Sequence, residues 1–188
     1  MKTFWNELDI IWGPNKQMST KRISAMFTTN DLLDIAVKME KNGKGVYEHA
    51  LGEIKNKRLK KLLAWMALEE ENHEKWFLGQ KKPRNPESVD FSEMLPDVLQ
   101  EMMGEKSLSL EEVDFSKITH TTQMLTAFIE FENDTILFYE FLGSFIQNTE
   151  TLGGLKDIIR EETAHVTALN EMLQAVREAN IPEETLSF

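Results

Sequence analysis

Apolar residues recur at helical spacing in four long stretches of the chain, whereas strand-like alternation is nowhere convincing. Cap-forming and helix-ending residues separate the stretches. The pattern predicts an all-α protein with helices at about 28–54, 59–79, 125–148 and 155–176. The third helix is expected to end near 148–149, and the fourth to start after Gly153 and Gly154.

The helix positions predict two helical hairpins, at about 28–80 and 120–180, joined by a long crossover over 81–119. A short helix is predicted within the crossover, at 91–103. The crossover is long enough for the third helix to start at either end of the bundle, so connectivity alone leaves the topology open. The 188 residues are thus interpreted as one domain, 28–188, preceded by an N-terminal extension over 1–27 that packs on the bundle or on a partner chain.

An internal repeat with a period of 92 residues relates the two hairpins. It superposes Glu40 on Glu132, and the Glu-x-x-His pair Glu70 and His73 on the corresponding pair in the second hairpin. The only two tyrosines of the chain superpose as well. The paired positions are Glu40 and Glu132, Tyr47 and Tyr139, Glu70 and Glu162, and His73 and His165.

Helix geometry brings the repeated polar residues to one level of the bundle. Residues three apart on a helix point in similar directions, so Glu70 and His73 can reach the same point. Glu40 and Glu70 lie about equally far from the hairpin turn near Lys55, and the second hairpin repeats this arrangement. Four carboxylates and two imidazoles are therefore expected in one layer.

The polar layer falls on the apolar stripes of the helices, where an unpaired carboxylate costs several kcal/mol or takes up a proton. Two divalent cations would balance four carboxylates, and two neutral imidazoles would complete their ligand shell. The alternative is a protonated or water-filled polar core in a metal-free interaction bundle. The sequence favours the two-metal site.

The ligand types indicate which metals the site would take. The chain has no cysteine, and a carboxylate-rich set suits iron or manganese better than structural zinc or copper(I). Six protein ligands shared by two ions leave coordination positions open, which favours oxygen or peroxide chemistry. Tyr47 and Tyr139 either hydrogen-bond the ligand carboxylates or fill the core.

One predicted helix carries Met-Glu-Lys-Asn-Gly (39–43), another carries Phe-Glu-Asn-Asp-Thr-Ile-Leu-Phe-Tyr (131–139), and the other two carry Glu-x-x-His. Together these helices resemble the rubrerythrin-like branch of the ferritin-like di-iron superfamily. The resemblance covers about residues 28–179. It implies an antiparallel ferritin-like four-helix bundle with one crossover. It also implies that one iron is bound by Glu40 and His73, the other by Glu132 and His165, and that both are bridged by Glu70 and Glu162.

The resemblance implies an oxidoreductase that reduces hydrogen peroxide, with ferrous iron oxidation by oxygen or peroxide (iron handling) as the alternative. A dimanganese, catalase-like site is a further possibility. Classical rubrerythrins carry a cysteine-ligated, rubredoxin-like iron domain, so this chain would need an external electron-donor protein. They also carry a carboxylate where this chain has Thr135, which makes the six-ligand site closer to that of bacterioferritins. The resemblance further suggests a homodimer.

Charge and hydropathy limit the remaining partners. The net charge of −11 repels phosphate backbones and anionic lipid surfaces, so neither nucleic acid nor a membrane is expected as a partner. The sequence contains no apolar run of about 18 residues and no secretory-type N-terminus. A cytoplasmic location is therefore expected.

Overall fold

The computed structural model describes residues 28–83 and 117–186. They form four helices, namely α1 (Thr29–Glu53), α2 (Lys57–Gln80), α3 (Thr121–Gly143) and α4 (Thr149–Arg177). Within these two ranges no residue lies in a β-strand, although an isolated bridge joins His120 to Thr185. The predicted all-α class is confirmed. The extension over 1–27 and the short helix predicted at 91–103 lie outside the described residues.

Side-chain caps begin three of the helices. Thr28 and Asp31 form a capping box at α1, in which the Thr28 N–H donates to the Asp31 carboxylate at 2.7 Å. The Asn56 side chain accepts from the Arg58 N–H at 2.8 Å, and Asn148 caps α4 in the same way. These contacts satisfy backbone N–H groups that have no partner within the helix.

The contacts at the two ends of the bundle show in which direction each helix runs. At one end, the Lys55 N–H, just after α1, donates to the Glu184 carboxylate at 2.8 Å. The Thr121 N–H, at the start of α3, donates to the Glu184 carbonyl at 3.2 Å. At the other end, the Thr151 hydroxyl near the start of α4 lies 3.0 Å from the Gln80 side chain at the end of α2.

These end contacts show that every neighbouring pair of helices is antiparallel. Helix α1 packs mainly on α2 and α3 mainly on α4, with lighter α1–α3 and α2–α4 contacts. Helix α2 ends at one end of the bundle and α3 begins at the other. This is the predicted four-helix bundle of two hairpins, and it settles the topology that connectivity left open.

The core divides into two apolar clusters. One contains Ile54, Leu63 and Leu169, toward the α1–α2 turn. The other contains Leu33, Phe77 and Leu155, toward the opposite end. The predicted polar residues occupy the level between them. No described helix has the length and hydropathy needed to cross a membrane.

Two predicted helix ends are wrong. Helix α3 ends at Gly143, not near 148–149, because a tight turn follows in which the Phe145 N–H donates to the Leu142 carbonyl at 3.0 Å. Phe145 still packs on the second apolar cluster, which explains why it extended the apolar stripe. Helix α4 begins at Thr149 and therefore contains Gly153 and Gly154.

Gly154 has a packing reason to be glycine. An added Cβ would lie 2.5 Å from Cζ2 of Trp76 and 2.8 Å from its Nε1, whereas a Cβ at Gly153 would meet nothing within 4 Å. The Trp76 ring thus packs directly on the α4 backbone. This close contact offsets the low helix propensity of glycine at this position.

We expect Gly154→Ala to lower the free energy of unfolding by about 1–3 kcal/mol, because the indole ring must move. Gly153→Ala is the matched control and should raise it by about 0.5–1 kcal/mol, since alanine is the better helix former. Urea unfolding followed by circular dichroism measures both. Equal stabilisation by the two substitutions would contradict the packing.

Candidate metal centre

The structure brings the six predicted ligand residues together in one buried layer. Helix α1 contributes Glu40, α3 contributes Glu132, and α2 and α4 each contribute a Glu-x-x-His pair. None of the six is more than 2% exposed to solvent. The members of the layer are Glu40, Glu70, His73, Glu132, Glu162 and His165.

The layer contains two overlapping groups of potential metal ligands. One consists of Glu40, Glu70, His73 and Glu162, and the other of Glu70, Glu132, Glu162 and His165. Each residue supplies one atom, and within a group these atoms lie within 4.8 Å of one another. Both groups include Glu70 and Glu162. The geometry therefore provides two adjacent positions for a cation, with two carboxylates shared between them.

Each imidazole points its Nδ1 atom at carboxylates of the layer. Nδ1 of His73 lies 2.9 Å from Oε1 of Glu162 and 3.5 Å from Oε2 of Glu40. Nδ1 of His165 lies 2.9 Å from Oε2 of Glu162 and 3.5 Å from Oε1 of Glu70. One carboxylate, Glu162, thus lies between both imidazoles.

Several buried ligand atoms of the layer have no hydrogen-bond partner among the described residues. Nδ1 of His73 and Oε1 of Glu162 lie close together but without hydrogen-bonding geometry. Unpaired buried polar atoms are rare, because each costs the desolvation of that atom. The unpaired ligand atoms are Glu40 Oε2, Glu70 Oε1, His73 Nδ1, Glu132 Oε2 and Glu162 Oε1.

The two tyrosines connect the hairpins through hydrogen bonds to carboxylates. The Tyr47 hydroxyl, on α1, donates to Glu132 on α3. The Tyr139 hydroxyl, on α3, donates to Glu40 on α1. Each tyrosine therefore reaches the glutamate of the other hairpin. Burial raises the pKa of both hydroxyls well above the usual value, and the facing carboxylates raise it further, so both stay protonated donors.

Glu161 is a further residue of the site that the sequence-based prediction does not include. Its carboxylate lies 2.9 Å from Nε2 of His73 and thus holds the ring from the outside. The 92-residue repeat contains a signal for Glu161, because Glu69 is its counterpart in the first hairpin.

The surroundings of His165 differ from those of His73. Nε2 of His165 has no hydrogen-bond partner in the described residues, and the Trp65 ring packs edge-on against the imidazole with ring centroids 4.8 Å apart.

The positions one turn after Glu40 and Glu132 hold small side chains. Gly43 follows Glu40, and a Cβ there would lie 3.1 Å from Oε2 of Glu70 and 3.2 Å from the Phe131 ring. Thr135 follows Glu132 and is 2% exposed. No long side chain at either position competes for space beside the carboxylates.

Without cations, protons must balance the charge of the layer. Burial, then the charges of neighbouring carboxylates, raise the pKa of Glu70 well above its usual value. Burial and the charge of Glu162 raise the pKa of Glu132 to about 8, and burial also raises that of Glu40. Glu162 behaves differently. Although burial acts to raise its pKa, the facing His165 and His73 rings lower it to about 2.

Both imidazoles become stronger bases in this environment. Burial acts to lower the pKa of His73, but its contacts with Glu162 and Glu40 outweigh burial and raise it to about 11. The same balance, with Glu132 and Glu162, raises the pKa of His165 to about 10. At neutral pH the metal-free layer therefore holds protonated imidazoles and protonated carboxyls.

The donor set fits divalent cations. Four carboxylates with a total charge of −4 match two divalent ions, and imidazole nitrogens with carboxylate oxygens suit iron and manganese. The unpaired atoms of both groups would each gain a partner. Bound cations would therefore explain why this layer of the core contains polar atoms without hydrogen-bond partners.

We expect metal loading to release about two to four protons per chain at pH 7, because ligand nitrogens and oxygens must lose their protons. Binding should strengthen as the pH rises toward 8, where Glu132 loses its proton. Manganese(II) titrated into weakly buffered metal-free protein with a pH indicator measures the release, and manganese already chelated is the control. Saturable binding without proton release would contradict this arrangement.

Comparisons with known proteins support the interpretation of the fold. The family model for Rubrerythrin matches residues 31–120, a span that contains Glu40, Glu70 and His73. The predicted resemblance to rubrerythrins is confirmed over this part of the chain. The second half of the ligand set, on α3 and α4, lies beyond the match.

A hypothetical protein from Pyrococcus furiosus has a similar structure, with a TM-score of 0.58 and 19% sequence identity. The similarity covers 82% of this chain and 93% of that chain, and at this identity it bears on the fold alone. No curated protein matches the chain.

Proposed function

We propose that this rubrerythrin-like chain is a di-iron oxidoreductase that reduces hydrogen peroxide with electrons from a separate donor protein. The observation that carries the proposal is the pair of overlapping buried ligand groups that share Glu70 and Glu162. Two iron ions held by these groups, each able to give one electron, would supply two electrons together. The rubrerythrin match supports iron over manganese, which the same ligands would also accept.

The proposed reaction is a two-electron reduction. When bound, a ferrous pair would supply the two electrons that, with two protons, reduce one molecule of hydrogen peroxide to two molecules of water. A separate donor would then have to return two electrons for each molecule of peroxide reduced. No cysteine occurs in these 188 residues, so no rubredoxin-like iron centre lies within them and the donor must come from outside them.

The residues of the chain position the ligands and exclude water. Tyr47 and Tyr139 hold Glu132 and Glu40 by hydrogen bonds that cross between the hairpins. Glu161 orients the His73 ring so that its Nδ1 faces the layer. The apolar clusters on either side keep the layer dry, which strengthens the electrostatic interactions within it.

Ferrous iron oxidation is the second candidate function, and Thr135 is the observation that favours it. Rubrerythrins resemble this chain in six ligands but carry a carboxylate at that position. With only six ligands, the site could oxidise ferrous iron with oxygen and pass it on instead of cycling with peroxide. The two functions use the same residues and differ in what regenerates the ferrous state.

We expect the intact chain to bind two ferrous ions and Glu70→Gln to bind them at least about 100-fold more weakly, because Glu70 belongs to both ligand groups. Anaerobic equilibrium dialysis measures the affinity, and circular dichroism checks the fold. Glu130→Gln is the matched control, since Glu130 is exposed on α3 and belongs to neither group. Unchanged affinity in Glu70→Gln would favour the metal-free interaction bundle.

Rapid mixing of the ferrous-loaded protein with hydrogen peroxide or with oxygen separates the candidate functions. We expect peroxide to produce near-ultraviolet ferric absorbance at least about tenfold faster than oxygen, with repeated peroxide consumption when reduced rubredoxin supplies electrons. Faster reaction with oxygen that stops after one oxidation would favour iron handling. Oxygen evolution from peroxide without a reductant, in manganese-loaded protein, would identify a catalase-like site.

A further inference from the structure

Thr135 carries a buried hydroxyl that nothing in the described protein satisfies. Its side chain is 2% exposed, and its Oγ1 has no hydrogen-bond partner among the described residues. A threonine in a helix normally bonds the carbonyl four residues earlier. Thr126 on the same helix does so at 2.8 Å, and Thr163 and Thr167 on α4 do so at 2.7 and 2.9 Å. The unpaired state of Thr135 is therefore specific to its position.

The internal repeat indicates which way this position faces. Thr135 is the counterpart of Gly43, since both lie three residues after a glutamate of the layer. A side chain at position 43 would begin 3.1 Å from the Glu70 carboxylate. The repeat maps Glu70 onto Glu162, so we infer that the side chain of Thr135 faces the Glu162 side of the layer.

The α1–α3 side of the layer carries neither imidazole, since His73 lies on α2 and His165 on α4. Gly43 has no side chain there, and Glu70 and Phe131 already pack against its backbone, whereas Thr135 supplies a single hydroxyl. A small ligand that approaches the two cation positions from this side would meet one neutral hydrogen-bond donor. Gly43 and Thr135 thus make the two halves of the site unequal on this side.

We propose that the Thr135 hydroxyl donates a hydrogen bond to the small oxygen species, hydrogen peroxide or dioxygen, that binds at the two cation positions on the Thr135 side of the layer. This inference rests on the proposed two-metal function. A hydroxyl suits the role because it donates a hydrogen bond without the charge that a fifth carboxylate would add to the layer. The bound species in turn gives the buried Oγ1 the partner that the fold does not provide.

The test uses azide, a small anion of similar size, as the probe for the iron-loaded, oxidised protein. We expect Thr135→Val to weaken azide binding about tenfold, because one hydrogen bond to a charged ligand is lost. Thr135→Ser keeps the hydroxyl and should bind within about twofold of the unsubstituted chain. Thr126→Val is the matched control on α3 and should leave azide binding unchanged. The azide charge-transfer absorbance gives each dissociation constant.

Thermal unfolding of the metal-free protein gives a second readout. Valine has nearly the shape of threonine without the unpaired hydroxyl, so Thr135→Val should keep or raise the melting temperature. A purely structural threonine predicts the opposite, a lower melting temperature with normal azide affinity.

The iron count of each variant separates failure of this inference from failure of the proposed function. An unsubstituted chain that binds no iron would refute the two-metal function. If both proteins hold two irons, equal azide affinity of Thr135→Val and the unsubstituted chain would overturn the role of Thr135. So would the absence of azide binding by the unsubstituted ferric protein, since the site would then have no open side.

Discussion

The constraint on which the structure depends is the burial of four carboxylates in a single layer of the bundle. Glu40, Glu70, Glu132 and Glu162 are each at most 1% exposed. Buried like charges repel strongly, and each also loses its hydration, so the layer must take up protons or cations. The raised pKa values of Glu70, Glu132, His73 and His165 show how the metal-free layer balances its charge with protons.

The rest of the fold supports this layer. The apolar clusters on either side bury the helix faces, and the two tyrosine–glutamate hydrogen bonds join the hairpins across the layer itself. The contacts between hairpins are otherwise lighter than those within them. A cation pair bound by ligands from all four helices would therefore add the strongest connection between the two halves of the bundle. Metal binding and bundle stability are coupled in such an arrangement.

Much of this arrangement is encoded in local patterns that the sequence displays directly. The helical stripes predicted four helices, and the 92-residue repeat predicted which six residues meet. The start of α4 could not be predicted in this way, because a glycine such as Gly154 usually indicates the end of a helix. Its contact with Trp76 depends on tertiary packing, which the sequence does not display. The partners of Tyr47 and Tyr139 could not be predicted either. Spacing along a helix indicates a shared face but not which neighbouring helix the side chain reaches.

The most direct test of the two-metal site is an anomalous difference map from crystals of the protein loaded anaerobically with ferrous ion. The account predicts two peaks in each chain, one beside Nδ1 of His73 and one beside Nδ1 of His165. Both peaks should contact the carboxylates of Glu70 and Glu162. A single peak, or peaks only at exposed carboxylates, would contradict the account.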